Sequence, residues 1–489
     1  MEKQLRDDAV PCSPPRDTAL EQQMKLSPLE LSFSRQLEVY LTVAVPVRLT
    51  PGECLAATQA LVAEYPILAT RLDLMRSKLT KEERSHSKPE AIFRARTVDR
   101  SLGEFVPAST AGSRSEDTEP EPVFYDPQTL EGLFQCKPGR HDSHQALSIQ
   151  TVHLRDACVI RFIVQHALSD AGGVHWIAQT YCDFLSGTHH RHPAVRPDFV
   201  LKPEVIQSGA EMAAKGTTHP IAARYSQGFR VSWTRFLAAY LRQRFWAVCP
   251  TSARRVRRML FVPQTRLDDW MSQAQSQGVQ VTEHDLLMAF VYQSIFPPAA
   301  TARGAHTGLI FTLNIQSHVA SPKGALTNPW INVPVAPAVA QDLVRIAAHL
   351  RHTIRQAREP ACVAQIIAQH VPVRNTPAVP KGYGSRTPRV ALTSWSHLPW
   401  YDLEVKGTRP AFVLGNTQLT QLLTGLGVRM DDGLTTCKAG VRWEEGRQEG
   451  YWLQGRLNEG IWARMMDTLE RGRREGEAML DDVGVEKAL

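Results

Sequence analysis

The chain has 489 residues, 43% hydrophobic and 21% charged, with a formal net charge of +7. That length exceeds the roughly 250–300 residues at which a single hydrophobic core stops growing, so two domains are expected. Seven surplus charges over such a chain suit an anionic small ligand but are too thinly spread for a nucleic-acid surface, and no aromatic–basic interleaving or zinc-finger spacing accompanies them. No apolar run reaches the roughly 18 residues of a membrane span, so no membrane helix is expected. The eight cysteines are scattered without a C-x-x-C pair, which fits reduced intracellular thiols. The charged start, Met1 to Asp8, has no apolar run behind it, so no secretory leader is expected and the cytosol is the expected address.

Residues 1–24 are polar and contain proline, and are expected to be disordered. Leu37 to Val47 reads as a strand. Thr50-Pro51-Gly52-Glu53 then carries an N-cap threonine, a proline at the first helical position and a glutamate at the third, so a helix begins there and runs towards Tyr65-Pro66. Segments 76–90 and 107–121 read as surface loops. Ala146 to Leu154 and Ala157 to Gln165 read as two strands, the second apolar enough to be buried on both faces. After Gly172-Gly173 a helical spacing of Val174, Ile177, Tyr181 and Leu185 leads to Gly187.

Residues 196–255 read as a crossover between a first half (25–195) and a second half (256–489). In the second half Met259 to Val262 reads as a strand, Thr265 as the cap of a helix that stops at Gly278, and Thr282 as the cap of the next. Leu309 to Ile315 reads as a strand and 341–358 as an amphipathic helix. Arg389 to Trp395 and Tyr451 to Leu457 read as late strands, and 460–480 as a terminal helix. The mixture is α/β in two halves.

The pattern H-x-x-x-D occurs once, at His166 and Asp170, between the buried strand and the helix that follows. A histidine at a strand end is commonly just a satisfied core residue; here the Gly-Gly turn and the flanking elements frame it as a candidate for chemistry. No G-x-S-x-G elbow marks a serine nucleophile, and no His/Cys/Asp group has metal spacing, so no metal is expected. His189, His190 and His192 read as a solvated loop. The basic run Arg254-Arg255-Val256-Arg257-Arg258 reads as a solvated strand edge before it reads as a phosphate site. The helix N-terminus at Thr282 is the better candidate for an anionic cofactor.

Six segments share their order with one family: Leu26-Ser27-Pro28-Leu29-Glu30; Tyr65 to Leu72; His166 to Asp170 with Gly172; Val281 to Ala289; Thr327-Asn328-Pro329-Trp330-Ile331-Asn332; and Thr393-Ser394-Trp395 with Leu398-Pro399-Trp400-Tyr401. With these the chain resembles the BAHD acyltransferases, especially their fungal branch typified by trichothecene 3-O-acetyltransferases. The resemblance implies a chloramphenicol-acetyltransferase-like fold, two similar α/β domains with a channel between them. It implies a monomer that takes acyl-CoA, in the first instance acetyl-CoA, as cosubstrate and a hydroxylated small molecule as acceptor, with no bound cofactor. His166 would act as general base on the acceptor hydroxyl. Trp395 would support the oxyanion, and Thr393 would lie on the acceptor side. Asp170 and Gly172 would shape the loop. In the family an arginine pairs with the aspartate; here Gln316 stands in its place, so either Gln316 or another arginine is expected to serve. The family's D-F-G-W-G-K-P segment falls on Glu404 to Pro410 and keeps only the proline. N-acylation, a peptide-synthetase condensation reaction and a non-catalytic binding role on the same fold are the alternatives.

Overall fold

Leu37–Val45 (β1) and Cys158–Gln165 (β7) are buried along nearly their whole length, as strands must be when a sheet is covered on both faces. The computed structural model describes residues 37–73, 78–80, 92–106, 124–134, 145–188, 200–223, 241, 255–296, 308–320, 326, 328–335, 342–370, 389–419, 433–443 and 446–471. The segment 1–24, the loop 107–121 and His189, His190 and His192 lie outside them.

The helix that follows β1, Pro51–Glu64 (α1), starts as its capping box dictates. The Thr50 hydroxyl accepts from the Glu53 N–H, and the Glu53 carboxylate accepts from the Thr50 N–H at 2.7 Å. Short strands Arg71–Asp73 (β2), Lys78–Thr80 (β3), Phe93–Thr97 (β4) and Phe124–Tyr125 (β5) precede Leu147–His153 (β6) and β7. Ala171–Ser186 (α2) follows β7 and starts one turn earlier than the glycine pair implies, because Asp170 is its N-cap. The ring of Tyr181 on α2 meets that of Phe162 on β7 edge-on at 5.3 Å. The Tyr181 hydroxyl donates to the Cys54 carbonyl on α1. One face of β1 and β7 is thereby sealed by the two helices.

The segment 196–255 contains a helix, Pro203–Ala214 (α3), set by a proline in its first turn. Arg255–Pro263 (β8) leads straight into Gln264–Ser276 (α4). The N-cap of α4 is Pro263 and not Thr265, and no side chain caps it. Glu283–Ile295 (α5) is capped by Thr282 as expected. Then come Gly308–Asn314 (β9), Trp330–Pro334 (β10), Leu343–Ala357 (α6), Pro360–His370 (α7) and Arg389–Ser394 (β11). Phe412–Leu419 (β12), Gly433–Trp443 (β13), Gly446–Asn458 (β14) and a helix over 459–471 close the described chain. Strands β12 and β13 had no counterpart in the sequence reading, and β14 is longer than expected.

Two main sheets organise most of these elements, while β2 and β3 pair with each other. The smaller has the order β12-β1-β7-β6-β4 and the larger β10-β9-β11-β13-β14-β8-β5. The chain order therefore crosses between them. β12, from the second half, runs antiparallel to β1 from Leu37↔Leu419 to Ala44↔Phe412. β5, from the first half, pairs with β8. One face of the large sheet, with Leu309, Phe311, Leu313, Val390, Leu392 and Leu453, is packed under its own helices. From the opposite face, Met259, Phe261 and Trp452 enter the core of the small sheet. Among the described residues no helix is long and apolar enough to cross a membrane.

Candidate active site

His166 is the first residue beyond β7. Its N–H donates to the Leu37 carbonyl at 2.9 Å, which continues the β1–β7 pairing by one step. Its side chain is buried, and burial pushes the imidazole down to about 4; its own backbone, the Asn328 side chain and the Ser169 backbone pull the other way. The ring is therefore neutral at pH 7, and its Nδ1 is buried without a hydrogen-bond partner among the described residues.

Two asparagines of the second half hold this loop. Asn328, almost fully buried, donates from Nδ2 to the His166 carbonyl. Asn314, the last residue of β9, donates from Nδ2 to Asp170 Oδ2 at 3.1 Å. The orientation of the Asn314 amide is fixed because its Oδ1 accepts from the Gln316 N–H at 2.7 Å. The structure thus gives Asp170 a neutral partner two residues before Gln316, and among the described residues no arginine takes part in the contact. The other carboxylate oxygen of Asp170 accepts from the Gly173 N–H at 3.1 Å as the N-cap of α2. Desolvation raises the Asp170 carboxyl to about 6, against the lowering effect of the Gly173 and Gly172 N–H groups. A β-carbon on Gly172 would stand 3.2 Å from that carboxylate, whereas one on Gly173 would stand 1.7 Å from the hydroxyl oxygen of fully buried Ser169. Gly173 is therefore the glycine that lets α2 start against the loop.

Trp330 on β10 is the ring that meets His166, with centroids 5.4 Å apart. Asn328 and Trp330 belong to one motif of the sequence that assigns neither a role, and in the structure both meet His166 from the second half. Trp395 follows β11 and is buried. The benzo edge of its indole lies against Gly415 of β12, where a β-carbon would come within 2.1 Å of the ring, and its ring also lies near that of Trp400, with centroids 5.6 Å apart. The indole nitrogen is on the side of the ring away from Gly415. Thr393 lies two residues earlier on β11, in register with Thr312 and Thr435.

Thr282 is committed to its helix. Its hydroxyl and N–H both donate to the Asp285 carboxylate, which also holds Arg351 at 2.8 Å. Glu283 stands in the same first turn and takes the Tyr451 hydroxyl. This helix end offers carboxylates where a phosphate would need bare N–H groups. In the basic run, Arg257 pairs with Glu131, and Arg258 lies over Phe124 and near Glu459. The altered segment 404–410 forms a tight turn, with Lys406 and Gly407 at positive φ. Lys406 reaches Glu53 and its N–H bonds the Ser186 hydroxyl, so the turn joins α1 to α2 away from His166. Cys54, His153 and Cys158 cluster in the core, but both ring nitrogens of His153 are engaged, with the Leu49 carbonyl at 2.7 Å and the Thr151 hydroxyl at 2.9 Å. That reads as a satisfied core histidine.

No protein-family model matches the chain. Among solved structures, it is similar to F. graminearum TRI101 complexed with coenzyme A and deoxynivalenol, with a TM-score of 0.55 and 10% identity over 90% of this chain and 96% of that one. It is similar to vinorine synthase with a TM-score of 0.58 and 12% identity over 94% and 96%. The chain has the two-domain fold of the BAHD acyltransferases. Among curated proteins, 225 residues are 23% identical to acetyltransferase peniE of Penicillium patulum; the match covers 43% of this chain and 45% of that protein.

The contact between Asp170 and Asn314 yields a direct test. Asp170→Asn sets two amide N–H groups against each other, and Asn314→Asp sets two carboxylates together. Each single variant is expected to lose about 1–3 kcal/mol of stability. The double variant Asp170→Asn/Asn314→Asp restores a donor facing an acceptor and is expected to recover most of the loss in a denaturant-melt cycle. Simple addition of the two losses would show that the contact carries no coupling.

Proposed function

We propose that the chain transfers the acyl group of acyl-CoA, in the first instance acetyl, to a hydroxyl of a secondary metabolite, with His166 as general base. The observation that carries this reading is the buried, neutral imidazole of His166, held where the two halves meet in the fold of a coenzyme A-bound enzyme. The similarity to a fungal acetyltransferase supports acetyl as the group transferred.

The reaction follows from these groups. The acceptor hydroxyl gives its proton to the imidazole as its oxygen attacks the thioester carbonyl. The tetrahedral oxyanion collapses, the C–S bond breaks, and the departing thiolate takes the proton back. The ring of Trp330 is a suitable neighbour for the transient imidazolium. Trp395 is assigned the support of the oxyanion through its indole N–H, and Thr393 the acceptor side. Asp170 takes no proton in this scheme. It caps α2 and answers Asn314, and so sets the loop that carries His166.

Thiol release from acetyl-CoA with a panel of hydroxylated terpenoids and polyketides tests the activity. His166→Ala is expected to lower turnover by about 10²–10⁴ while acyl-CoA still binds. Undiminished turnover would remove His166 from the chemistry. Because burial holds the imidazole at about 4, kcat/KM is expected to stay level as pH falls from 7 and to drop only near that value. A limb at about 6.5, the pKa of free imidazole, would contradict the buried setting. Stability behaves differently. The depressed His166 contributes stability that is present above about 6.5 and lost as pH falls through about 4, whereas the raised Asp170 contributes stability that is present below 3.8 and lost as pH rises through about 6. The two oppose each other between about 4 and 6, so the acid limb in rate is expected without a matching step in Tm from this site.

A further inference from the structure

At one register level five successive strands of the large sheet present neutral polar side chains on the same face. Asn332 of β10 faces Thr312 of β9, which faces Thr393 of β11, then Thr435 of β13 and Gln454 of β14. Lateral partners in a sheet share a face, and this one is opposite the aliphatic face under the helices. It looks towards the half that carries His166. One pleat along, on the same face, are Trp330, which meets the His166 ring, and Asn314, which bonds Asp170. The row therefore starts beside the candidate base. With strands about 4.8 Å apart it extends for about 19 Å.

The far end of the row is buried. Thr435 is 3% and Gln454 2% exposed. Gln454 Nε2 has no hydrogen-bond partner among the described residues. A buried amide donor without an acceptor costs stability unless something supplies one. Asn332 and Thr312 meet each other at 3.2 Å at the near end. Beyond Gln454 the row meets Met259, and beside it are the packed rings of Trp452, Phe261 and Phe412. No cationic side chain stands in the row to meet phosphate.

We propose that this row is the recognition strip for the acceptor, a neutral and polyoxygenated skeleton whose reacting hydroxyl lies at His166 and whose distal carbonyl or ether oxygen accepts from Gln454. The inference rests on the acyl-transfer reading above and names the acceptor class for it. Gln454 and Thr435 read the far end of the skeleton, and Thr393 and Thr312 its middle.

The test uses the full chain, acetyl-CoA and hydroxylated terpenoids or polyketides supplied in pairs that differ by one ring carbonyl distant from the hydroxyl. The wild-type chain is expected to favour the carbonyl member of the pairs it accepts by about tenfold in kcat/KM, the value of one good hydrogen bond. In Gln454→Leu that preference disappears, with the KM of the carbonyl member raised about tenfold and the KM for acetyl-CoA unchanged. Thr393→Val, nearly isosteric and at a partly exposed position, is expected to raise the acceptor KM in the same direction and decides the matter if Gln454→Leu does not fold. A preference that survives in both folded variants overturns the proposal, as does a rise in the KM for acetyl-CoA alone, which would make the row a cosubstrate track. Equal rates for both members of every accepted pair defeat this inference alone. A wild-type chain that releases no thiol with any pair defeats the acyl-transfer reading beneath it.

Discussion

The loop that carries His166 is held from outside its own half. Asn328 bonds the His166 carbonyl and Asn314 bonds the Asp170 carboxylate, both from the second half, while the loop itself belongs to the first. A loop at a strand end has few partners of its own, and a buried carbonyl or a partly desolvated carboxylate left unanswered costs stability. The two side-chain amides answer both groups and fix the backbone on either side of the imidazole. Neither asparagine brings a charge, so the ring remains in a desolvated and neutral setting, which suits the proton acceptor proposed here.

The same dependence runs through the architecture. β12 leaves the second half to complete the small sheet, and β5 leaves the first half to extend the large one. Each half thus lacks an edge strand until the other supplies it, which leaves no clean division for the halves to part along. Trp395 shows the consequence at the level of one side chain. It stems from the centre of the large sheet, yet packs on Gly415 of the strand given to the small one. The face between the sheets is therefore set by both.

Much of this was legible in the residues. The capping boxes at Thr50 and Thr282, the buried strand ending at Gln165 and the helix running to Gly187 follow from local spacing and stereochemistry, and the structure contains them. The H-x-x-x-D pattern marked the loop. What local pattern does not encode is who answers whom over long separations. Asn314 is 144 positions from Asp170 and Asn328 is 162 from His166. An asparagine carries no signal of its own that would single it out over Gln316. Strands β12 and β13 escaped notice because their sequences, FVLGNTQL and GLTTCKAGVRW, interrupt any alternation with glycine and polar residues. Their place becomes sensible only once the neighbouring strands are known. At Thr282 the local pattern marks the cap, and the structure adds that Glu283 and Asp285 stand in the same first turn.

If the cross-half ties position the base, then cutting one near His166 should damage chemistry more than binding or folding. Asn328→Leu keeps the volume of the side chain and removes the donor to the His166 carbonyl, and the steady-state kinetics of the folded variant with acetyl-CoA and an accepted alcohol provide the measurement. With the imidazole misplaced, kcat is expected to fall by about 10–100-fold, with the KM for acetyl-CoA unchanged and the acid limb of kcat/KM displaced. A folded Asn328→Leu protein with the kcat and pH profile of the wild type would contradict that positioning role.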